Sequence, residues 1–269
     1  MKIILMILPV FTLMACATTN NLESIHLDYD IVISEIDKNV YIATDKEFYN
    51  SNILIVKMDN GTVVITSSPF ENLATTSLMN WVKRNLKPKK IIAINPHFHR
   101  DGTGGNRVYE DFGAETWASD LTKDFALKHN KRDPIKAAKF YTDPKRNKRI
   151  LDSPISPPKN TFPIKEGKKF KFGNEIVEVF YPGPAHTKDN SVVYFHEQKI
   201  LFGGCMIKPF ELGYMGDAQV SEWPASAKSL KKFEIKTVIP GHGKWGGPEL
   251  IDKTIQVAES YLKLNTEKK

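Results

Sequence analysis

The chain has 269 residues, of which 41% are hydrophobic and 26% are charged, and its formal net charge at pH 7 is +7. This composition excludes a disordered or fibrous protein and predicts one large globular domain or two small ones. The positive charge comes chiefly from lysine, and neither interleaved aromatic residues nor a recognition helix accompanies the basic stretches. We therefore expect a solvated basic surface and no nucleic-acid partner.

The first 17 residues have the pattern of a secretory signal. A short charged start precedes an apolar run over residues 3–14, which is too short to span a bilayer as a permanent helix. Residues 13–16, Leu-Met-Ala-Cys, resemble a bacterial lipobox, whereas residues 15–17, Ala-Cys-Ala, fit an A-x-A cleavage site. Cys16 is therefore either lipidated, which would attach the chain to a membrane, or discarded. In both cases we expect export to the periplasm.

The first half of the mature chain is rich in strands. Short apolar runs predict strands over residues 31–36, 40–44, 52–58, 62–67 and 91–94. Asp59-Asn60-Gly61 predicts a hairpin turn between the third and fourth of these strands. An amphipathic pattern predicts a helix over residues 71–86, which Lys87 and Pro88 end.

The central section, residues 119–158, is rich in lysine and has the pattern of a helical insertion followed by a rigid, proline-rich link. Helices are predicted over residues 121–129, 134–141 and 145–151. His129 lies in this section, away from any strand end, and is expected at the surface.

Strands and helices alternate again after the link. We expect strands over residues 169–172, 175–181, 191–195, 199–202 and 237–239, and helices over residues 224–233 and 248–264. No domain linker is evident. The pattern predicts a single domain over residues 28–269, built from two α/β halves that pack sheet against sheet.

A histidine-rich motif, His97-x-His99-x-Asp101, directly follows the predicted strand 91–94. Side chains alternate along extended backbone, so the two histidines point the same way and can bind one ion, while Asp101 can turn toward a neighbouring ion. Imidazole and carboxylate groups are ligands that zinc takes. Taken alone, such a pair is more often an ordinary surface or core pair.

Three further potential ligands, His186, Cys205 and His242, also lie at or near the ends of apolar runs. In α/β sheets that edge is where sites are built. With Cys16 in the export segment, Cys205 has no partner for an internal disulfide if cleavage follows Ala17. Cys205 is either a buried inert thiol or a metal ligand, and Gly203-Gly204 before it would let the backbone approach a site closely.

These residues, with Lys208 three positions after the cysteine, resemble the subclass B1 metallo-β-lactamases over roughly residues 28–264. The chain is most similar to the SPM-type enzymes, through motifs that include Ser68-Pro69-Phe70-Glu71-Asn72, Gly102-Thr103-Gly104-Gly105-Asn106 and Pro240-Gly241-His242-Gly243. The resemblance implies an α/β (α+β) fold, a four-layer αβ/βα sandwich with two central β-sheets flanked by helices. The metals would lie at one edge between the sheets.

The resemblance also implies two zinc ions per chain. His97, His99 and His186 would bind the first, and Asp101, Cys205 and His242 the second. A zinc-bound hydroxide, with Asp101 as the catalytic residue beside it, would hydrolyse the β-lactam amide bond of penicillins, cephalosporins and carbapenems and so confer antibiotic resistance. The expected substrate-binding residues are Lys208, which would bind the substrate carboxylate, together with Phe48, Tyr49 and Tyr214.

Two positions depart from common patterns. Tyr214 stands where many B1 members have an asparagine, and Gly102 follows Asp101 where the broader superfamily often has a second-metal histidine. The runner-up hypotheses are glyoxalase, lactonase and RNA-processing relatives of the same fold. Those relatives have that histidine and a bridging aspartate in place of the cysteine, so Gly102 and Cys205 argue against them. A non-catalytic zinc-binding lipoprotein is a third, which a complete two-ion ligand set disfavours. A monomer is the default expectation.

Overall fold

A computed structural model describes residues 24–129, 144–153 and 155–266. The larger of its two sheets has eight strands, which follow one another across the sheet in chain order. They are β1 (Ser24–His26), β2 (Ile31–Asp37), β3 (Val40–Asp45), β4 (Ser51–Lys57), β5 (Thr62–Thr66), β6 (Lys90–Ile94), β7 (Glu115–Ser119) and β8 (Asn160–Phe162). Strands β5 to β8 pair in parallel and the others antiparallel.

The smaller sheet has five strands from the second half of the chain. They are β9 (Lys168–Phe172), β10 (Glu175–Phe180), β11 (Val192–Phe195), β12 (Ile200–Gly204) and β13 (Thr237–Pro240). Their order across the sheet is β13-β12-β11-β10-β9, and only β12 and β13 pair in parallel. Two parallel neighbours end at the same edge, so the residues that follow β12 and β13 lie close together.

The described helices connect or cover the sheets. They are α1 (Asn72–Trp81), α2 (Arg100–Thr103), α3 (Asn106–Asp111), α4 (Asp120–His129), α5 (Pro144–Leu151), α6 (Trp223–Lys228) and α7 (Glu249–Thr266). A π-helical turn, Val82–Leu86, continues α1, and a 3-10 turn, Ser229–Lys232, continues α6. None of these helices has the length and apolar composition that a membrane span requires.

Strand β4 explains the layering, because it is buried on both faces. Ile53 and Ile55 pack with helix α1, whereas Leu54 and Val56 pack with residues of the second sheet. A strand covered on both faces has a continuous apolar run rather than an alternating one, and β4 has one.

Three apolar clusters hold the layers together. One joins the larger sheet to α1 and α3, one lies between the sheets, and one joins the smaller sheet to α6 and α7. Trp223, which is fully buried, anchors α6 in the third cluster. The predicted α/β (α+β) sandwich, with two sheets inside and helices outside, is confirmed.

Most predicted elements are present, and the hairpin turn is confirmed by two hydrogen bonds between Met58 and residues 61 and 62. Three strands were not predicted, β1, β7 and β8, because each is short and has few apolar residues. Strand β1 lies before residue 28, where the predicted domain begins, and its His26 pairs with Val32 in the sheet. The predicted helix over residues 134–141 and the predicted signal, residues 1–17, lie outside the described residues.

Candidate metal centre

The turn after β6 carries three of the six predicted ligands. The backbone is extended at His99, and α2 begins directly after it. The rings of His97 and His99 lie with centroids 5.0 Å apart, as expected for side chains two residues apart on extended backbone. Phe98, between them, packs against Ala126 and Ile155, and its ring centroid lies 4.4 Å from that of His99. Asp101 lies in the first turn of α2, where its charge is favourable.

Hydrogen bonds from side chains to the backbone fix this turn. The side-chain amide of Asn95 donates to the carbonyl of Gly102 over 2.7 Å, and the Ser67 hydroxyl donates to the carbonyl of Asp101 over 2.6 Å. A Cβ atom on Gly102 would lie only 2.4 Å from the carbonyl oxygen of His97. The turn therefore requires glycine at position 102, which explains why no histidine follows Asp101 here.

The other three predicted ligands come from the smaller sheet. His186 lies in the loop between β10 and β11, Cys205 follows β12, and His242 follows β13. A Cβ atom on Gly241 would lie 2.6 Å from the Cys205 sulfur, so glycine is needed beside the thiol. The backbone amide of Asn52 donates to the carbonyl of Gly241 over 2.8 Å, which ties this edge to the larger sheet.

Asp101, Cys205 and His242 form one group. Oδ2 of Asp101 lies 3.0 Å from the Cys205 sulfur and 3.2 Å from Nε2 of His242. Nδ1 of His242 lies 3.2 Å from the carbonyl oxygen of Tyr49. Donation from Nδ1 to that carbonyl leaves the lone pair of Nε2 directed toward Asp101 and the thiol.

The three remaining histidines lie next to this group. Nδ1 of His99 and Nε2 of His186 are 3.1 Å apart, and the ring centroids of His97 and His186 are 5.5 Å apart. Nε2 of His97 lies 3.4 Å from Oδ1 of Asp101. The two oxygens of Asp101 therefore face different parts of the cluster.

The protein groups alone shift one another's pKa values. Burial and the Asp101 carboxylate raise the pKa of the Cys205 thiol, but the His242 and His97 rings lower it more, to about 7. Burial lowers the pKa of His242, yet the thiolate and Asp101 raise it to about 9. Burial, together with charge on His99 and His97, holds the pKa of His186 well below its usual value.

The donor chemistry fits zinc. His97 and His186 are 1% and 5% exposed, and within the described ranges both nitrogens of His97 and Nδ1 of His186 have no hydrogen-bond partner. Buried polar atoms normally have partners, and a bound cation would satisfy one nitrogen of a ring, such as Nε2 of His97 beside Asp101. The donor atoms fall into three overlapping groups within 4.8 Å, and the groups together contain all six predicted ligands.

The predicted substrate-facing residues surround this cluster. Tyr214 is 47% exposed, and its ring centroid lies 5.7 Å from that of His99. Tyr49 is 62% exposed, whereas Phe48 is half-buried, stacks on Phe70 and lies with its centroid 5.8 Å from that of His242. The Lys208 ammonium is among the charges that lower the pKa of His186, after burial and the two neighbouring histidines.

Sequence reasoning missed three residues that contact the site's framework. Asp217, in the loop after Lys208, lies with Oδ2 3.0 Å from Nε2 of His99. Arg100 is 1% exposed and donates to the carbonyls of Phe70, Ile150 and Ser153, which ties the end of α5 to the ligand-bearing turn. His129, expected at the surface, packs its ring 4.8 Å from Phe98. Only Asp217 carried a sequence signal, as a carboxylate in a loop near the site.

Known proteins with similar sequences and structures agree with this arrangement. A "Metallo-beta-lactamase type 2" of Pseudomonas aeruginosa is 33% identical over 244 residues, 87% of this chain and 87% of that protein. A protein of the same name from Bacillus sp. (strain 170) is 32% identical over 237 residues, 84% of this chain and 82% of that one. The solved metallo-beta-lactamase from Pontibacter korlensis has a TM-score of 0.71 and 28% identity, covering 85% of this chain and 99% of its own.

The family described as the metallo-beta-lactamase superfamily matches residues 32–242, a segment that runs from β2 to the last predicted ligand. This match spans more than half of the chain and includes all six residues of the cluster. Together with the sandwich fold, it shows that the chain belongs to the metallo-β-lactamase superfamily.

Proposed function

We propose that the chain is a zinc-dependent β-lactamase, which hydrolyses the amide bond of penicillins, cephalosporins and carbapenems and so confers antibiotic resistance. The observation that carries this proposal is the cluster of six donors at the edge between the sheets. Relatives named metallo-β-lactamase support the reaction class. Membership of subclass B1 and similarity to SPM-type enzymes stay predictions from the motifs.

In this proposal His97, His99 and His186 hold one zinc ion, and Asp101, Cys205 and His242 hold a second. When bound, zinc supplies a Lewis acid for the carbonyl and lowers the pKa of bound water to about 7. As ligands, three imidazoles add no negative charge to the ion they hold, whereas the other set contributes a carboxylate and a thiol whose pKa is about 7. The two sets therefore suit different parts of one reaction, attack on the carbonyl carbon and departure of the nitrogen.

The chain's own groups have roles that follow from their places. In hydrolysis, water adds to the carbonyl carbon, the carbon–nitrogen bond breaks, and a proton from the water ends on the nitrogen. Asp101, between the two donor sets, can accept a hydrogen bond from the attacking water and orient it. Lys208 supplies the cation for the carboxylate that β-lactams carry beside the ring nitrogen. Tyr49 and Tyr214 give exposed apolar surface to the rest of the substrate.

Hydrolysis assays test the proposal. The purified chain is given a penicillin, a cephalosporin and a carbapenem, before and after a chelator, and again with zinc added back. We expect hydrolysis that disappears with the chelator and returns with zinc. A His97→Asn variant should lose activity, whereas the control His196→Asn, in a turn on the smaller sheet, should keep it. A chain with two zinc ions that hydrolyses none of the three would favour a lactone or thioester substrate instead.

We also propose that the protein is exported to the periplasm, with residues 1–17 as the signal. Support comes from the apolar run over residues 3–14 alone. Expression of the full chain followed by fractionation tests this. If Cys16 is lipidated, Cys16→Ala should move the protein from the membrane to the soluble periplasmic fraction, and cleavage after Ala17 predicts no such change. The monomeric state stays a prediction that light scattering would check.

A further inference from the structure

Helix α5 makes an ion-pair network that joins it to the site. Nε and Nη2 of Arg149 donate to the two oxygens of Glu71 over 2.8 and 3.0 Å. The Nη2 atom also lies 3.7 Å from a carboxylate oxygen of Glu47. The side chain of Glu71 is 6% exposed, so this bidentate contact is well shielded from water. Arg149 therefore connects the start of α1 to the loop that carries Glu47.

That loop, residues 45–51, is part of the site. The carboxylate of Asp45 accepts hydrogen bonds from the backbone amides of Phe48 and Phe70. The carbonyl of Tyr49 accepts from Nδ1 of His242 over 3.2 Å, and the Asn50 carbonyl accepts from the amide of Gly243. The loop therefore holds a predicted metal ligand by its backbone while exposing the Tyr49 ring.

The loop backbone is not relaxed at these positions. Tyr49 and Asn50 have φ values of 47° and 52°, in the left-handed region that costs energy for residues other than glycine. Neighbouring contacts must hold such a conformation in place. Glu47 lies two residues before it and is the point at which Arg149 approaches the loop.

Helix α5 is itself fixed. The carbonyls of Ile150 and Ser153 accept hydrogen bonds from the buried Arg100, and the Ile150 side chain packs with Phe70 and Phe48. Arg149 consequently extends from a fixed helix, so its position is set before it meets the loop.

We propose that Arg149 is a positioning residue, which holds the loop 45–51 through Glu47 and so sets the places of the His242 ring and the Tyr49 side chain. In this role Arg149 acts through its contacts with Glu47 and Glu71 and not on the metal or the substrate directly. Through Arg149, helix α5 would in this way control how the second metal is held and how the substrate is covered. The zinc-binding and kinetic readouts of this inference rest on the proposed function, whereas the hydrogen-exchange readout does not.

Hydrogen exchange of the loop amides tests the inference without any β-lactam. Arg149→Gln removes the charge and the bidentate contact, and Glu47→Gln removes the loop contact while leaving Arg149 paired with Glu71. We expect both variants to speed exchange of residues 45–51 about 2- to 5-fold, the effect of a partly exposed ion pair. Arg107→Gln is the matched control, since Arg107 pairs with Asp111 on the surface of α3.

Two further readouts separate positioning from general destabilisation. In Arg149→Gln, the second zinc should bind more weakly by a similar factor in a chelator competition, and KM should rise more than kcat falls. Arg149→Lys, which keeps the charge, should restore part of the effect. If Arg149→Gln fails to fold, Glu47→Gln carries the test alone.

Exchange in the loop that matches the wild type in both variants would overturn the inference, even if activity has fallen. The same holds if Arg107→Gln speeds exchange equally. If the wild type is inactive but the variants change loop exchange and zinc affinity as expected, the result counts against the proposed function and supports the positioning role.

Discussion

Nε2 of His99 lies 3.0 Å from Oδ2 of Asp217, which comes from a loop 118 residues further along the chain. Nδ1 of the same ring faces Nε2 of His186 at 3.1 Å. A carboxylate that accepts from one ring nitrogen fixes the tautomer, so the other nitrogen presents its lone pair to a metal. Asp217 therefore orients His99 although it lies outside the donor set.

Replacing Asp217 with Asn should weaken zinc binding. The amide has no charge and can present a donor to the ring nitrogen, so the tautomer is no longer fixed. Loss of such an outer partner typically costs about 10- to 100-fold in metal affinity or activity. Zinc affinity measured against a chromogenic chelator checks this, with Asp111→Asn on the surface of α3 as the control. Equal affinities in both variants would remove the orienting role.

Cys205→Ser should mainly affect the second metal. A thiolate is a better zinc ligand than a neutral hydroxyl, and zinc sites with four ligands bind with about 10–16 kcal/mol. One ligand is therefore worth about 3 kcal/mol, or about 100-fold. Metal analysis after dialysis should find about one zinc per chain, and cobalt substitution should lack the thiolate charge-transfer band. Two tightly bound zinc ions with full turnover would exclude Cys205 as a ligand.

Lys208→Ala should raise KM for an anionic β-lactam. If the ammonium binds the substrate carboxylate equally in the ground and transition states, kcat changes little. A rise of about 10-fold corresponds to about 1.4 kcal/mol. Steady-state kinetics check this, and Lys263→Ala, exposed near the end of α7, controls for loss of one positive charge. An unchanged KM would place the substrate carboxylate elsewhere.

Much of the fold can be predicted because apolar residues recur along buried strands and amphipathic helices with the spacing of the element that they form. Strand β4 is apolar from Ile53 to Val56, where both of its faces are covered. Helix α7 has its buried residues at helical spacing on one face. Strands β7 and β8 are short and have few apolar residues, so parallel pairing with their neighbours, rather than their own composition, makes them strands. Short segments of this kind are decided by their neighbours.

The six predicted ligands are brought together because each follows or lies near a strand end, and strand ends share an edge. The contacts of Arg100, Arg149 and Asp217 could not be predicted in the same way. Each joins segments that are distant in sequence, such as Arg149 and Glu71, which are 78 residues apart. Periodicity says which face a residue is on but not which distant carboxylate it meets.

Zinc affinity of the second donor set should depend steeply on pH. His242 has a pKa of about 9, raised above its usual 6.5 by the thiolate and Asp101 against the opposing effect of burial. Cys205 has a pKa of about 7, below its usual 9.0. A metal binds the neutral ring and the thiolate, so between pH 9 and 7 binding must displace the His242 proton, and below pH 7 also the thiol proton.

The affinity should therefore fall about 10-fold per pH unit from pH 9 to 7, and more steeply below pH 7. Titration calorimetry in two buffers of different ionisation enthalpy measures the protons released, and we expect about one at pH 8 and nearly two at pH 6. The pH dependence of the stability of the chelator-treated chain tests the directions of these two pKa shifts independently. The His242 contribution is fully present below pH 6.5 and is lost as pH rises through about 9, while that of Cys205 is present above pH 9.0 and is lost as pH falls through about 7. A proton release that does not change between pH 6 and 9 would contradict the assignment of both groups as ligands.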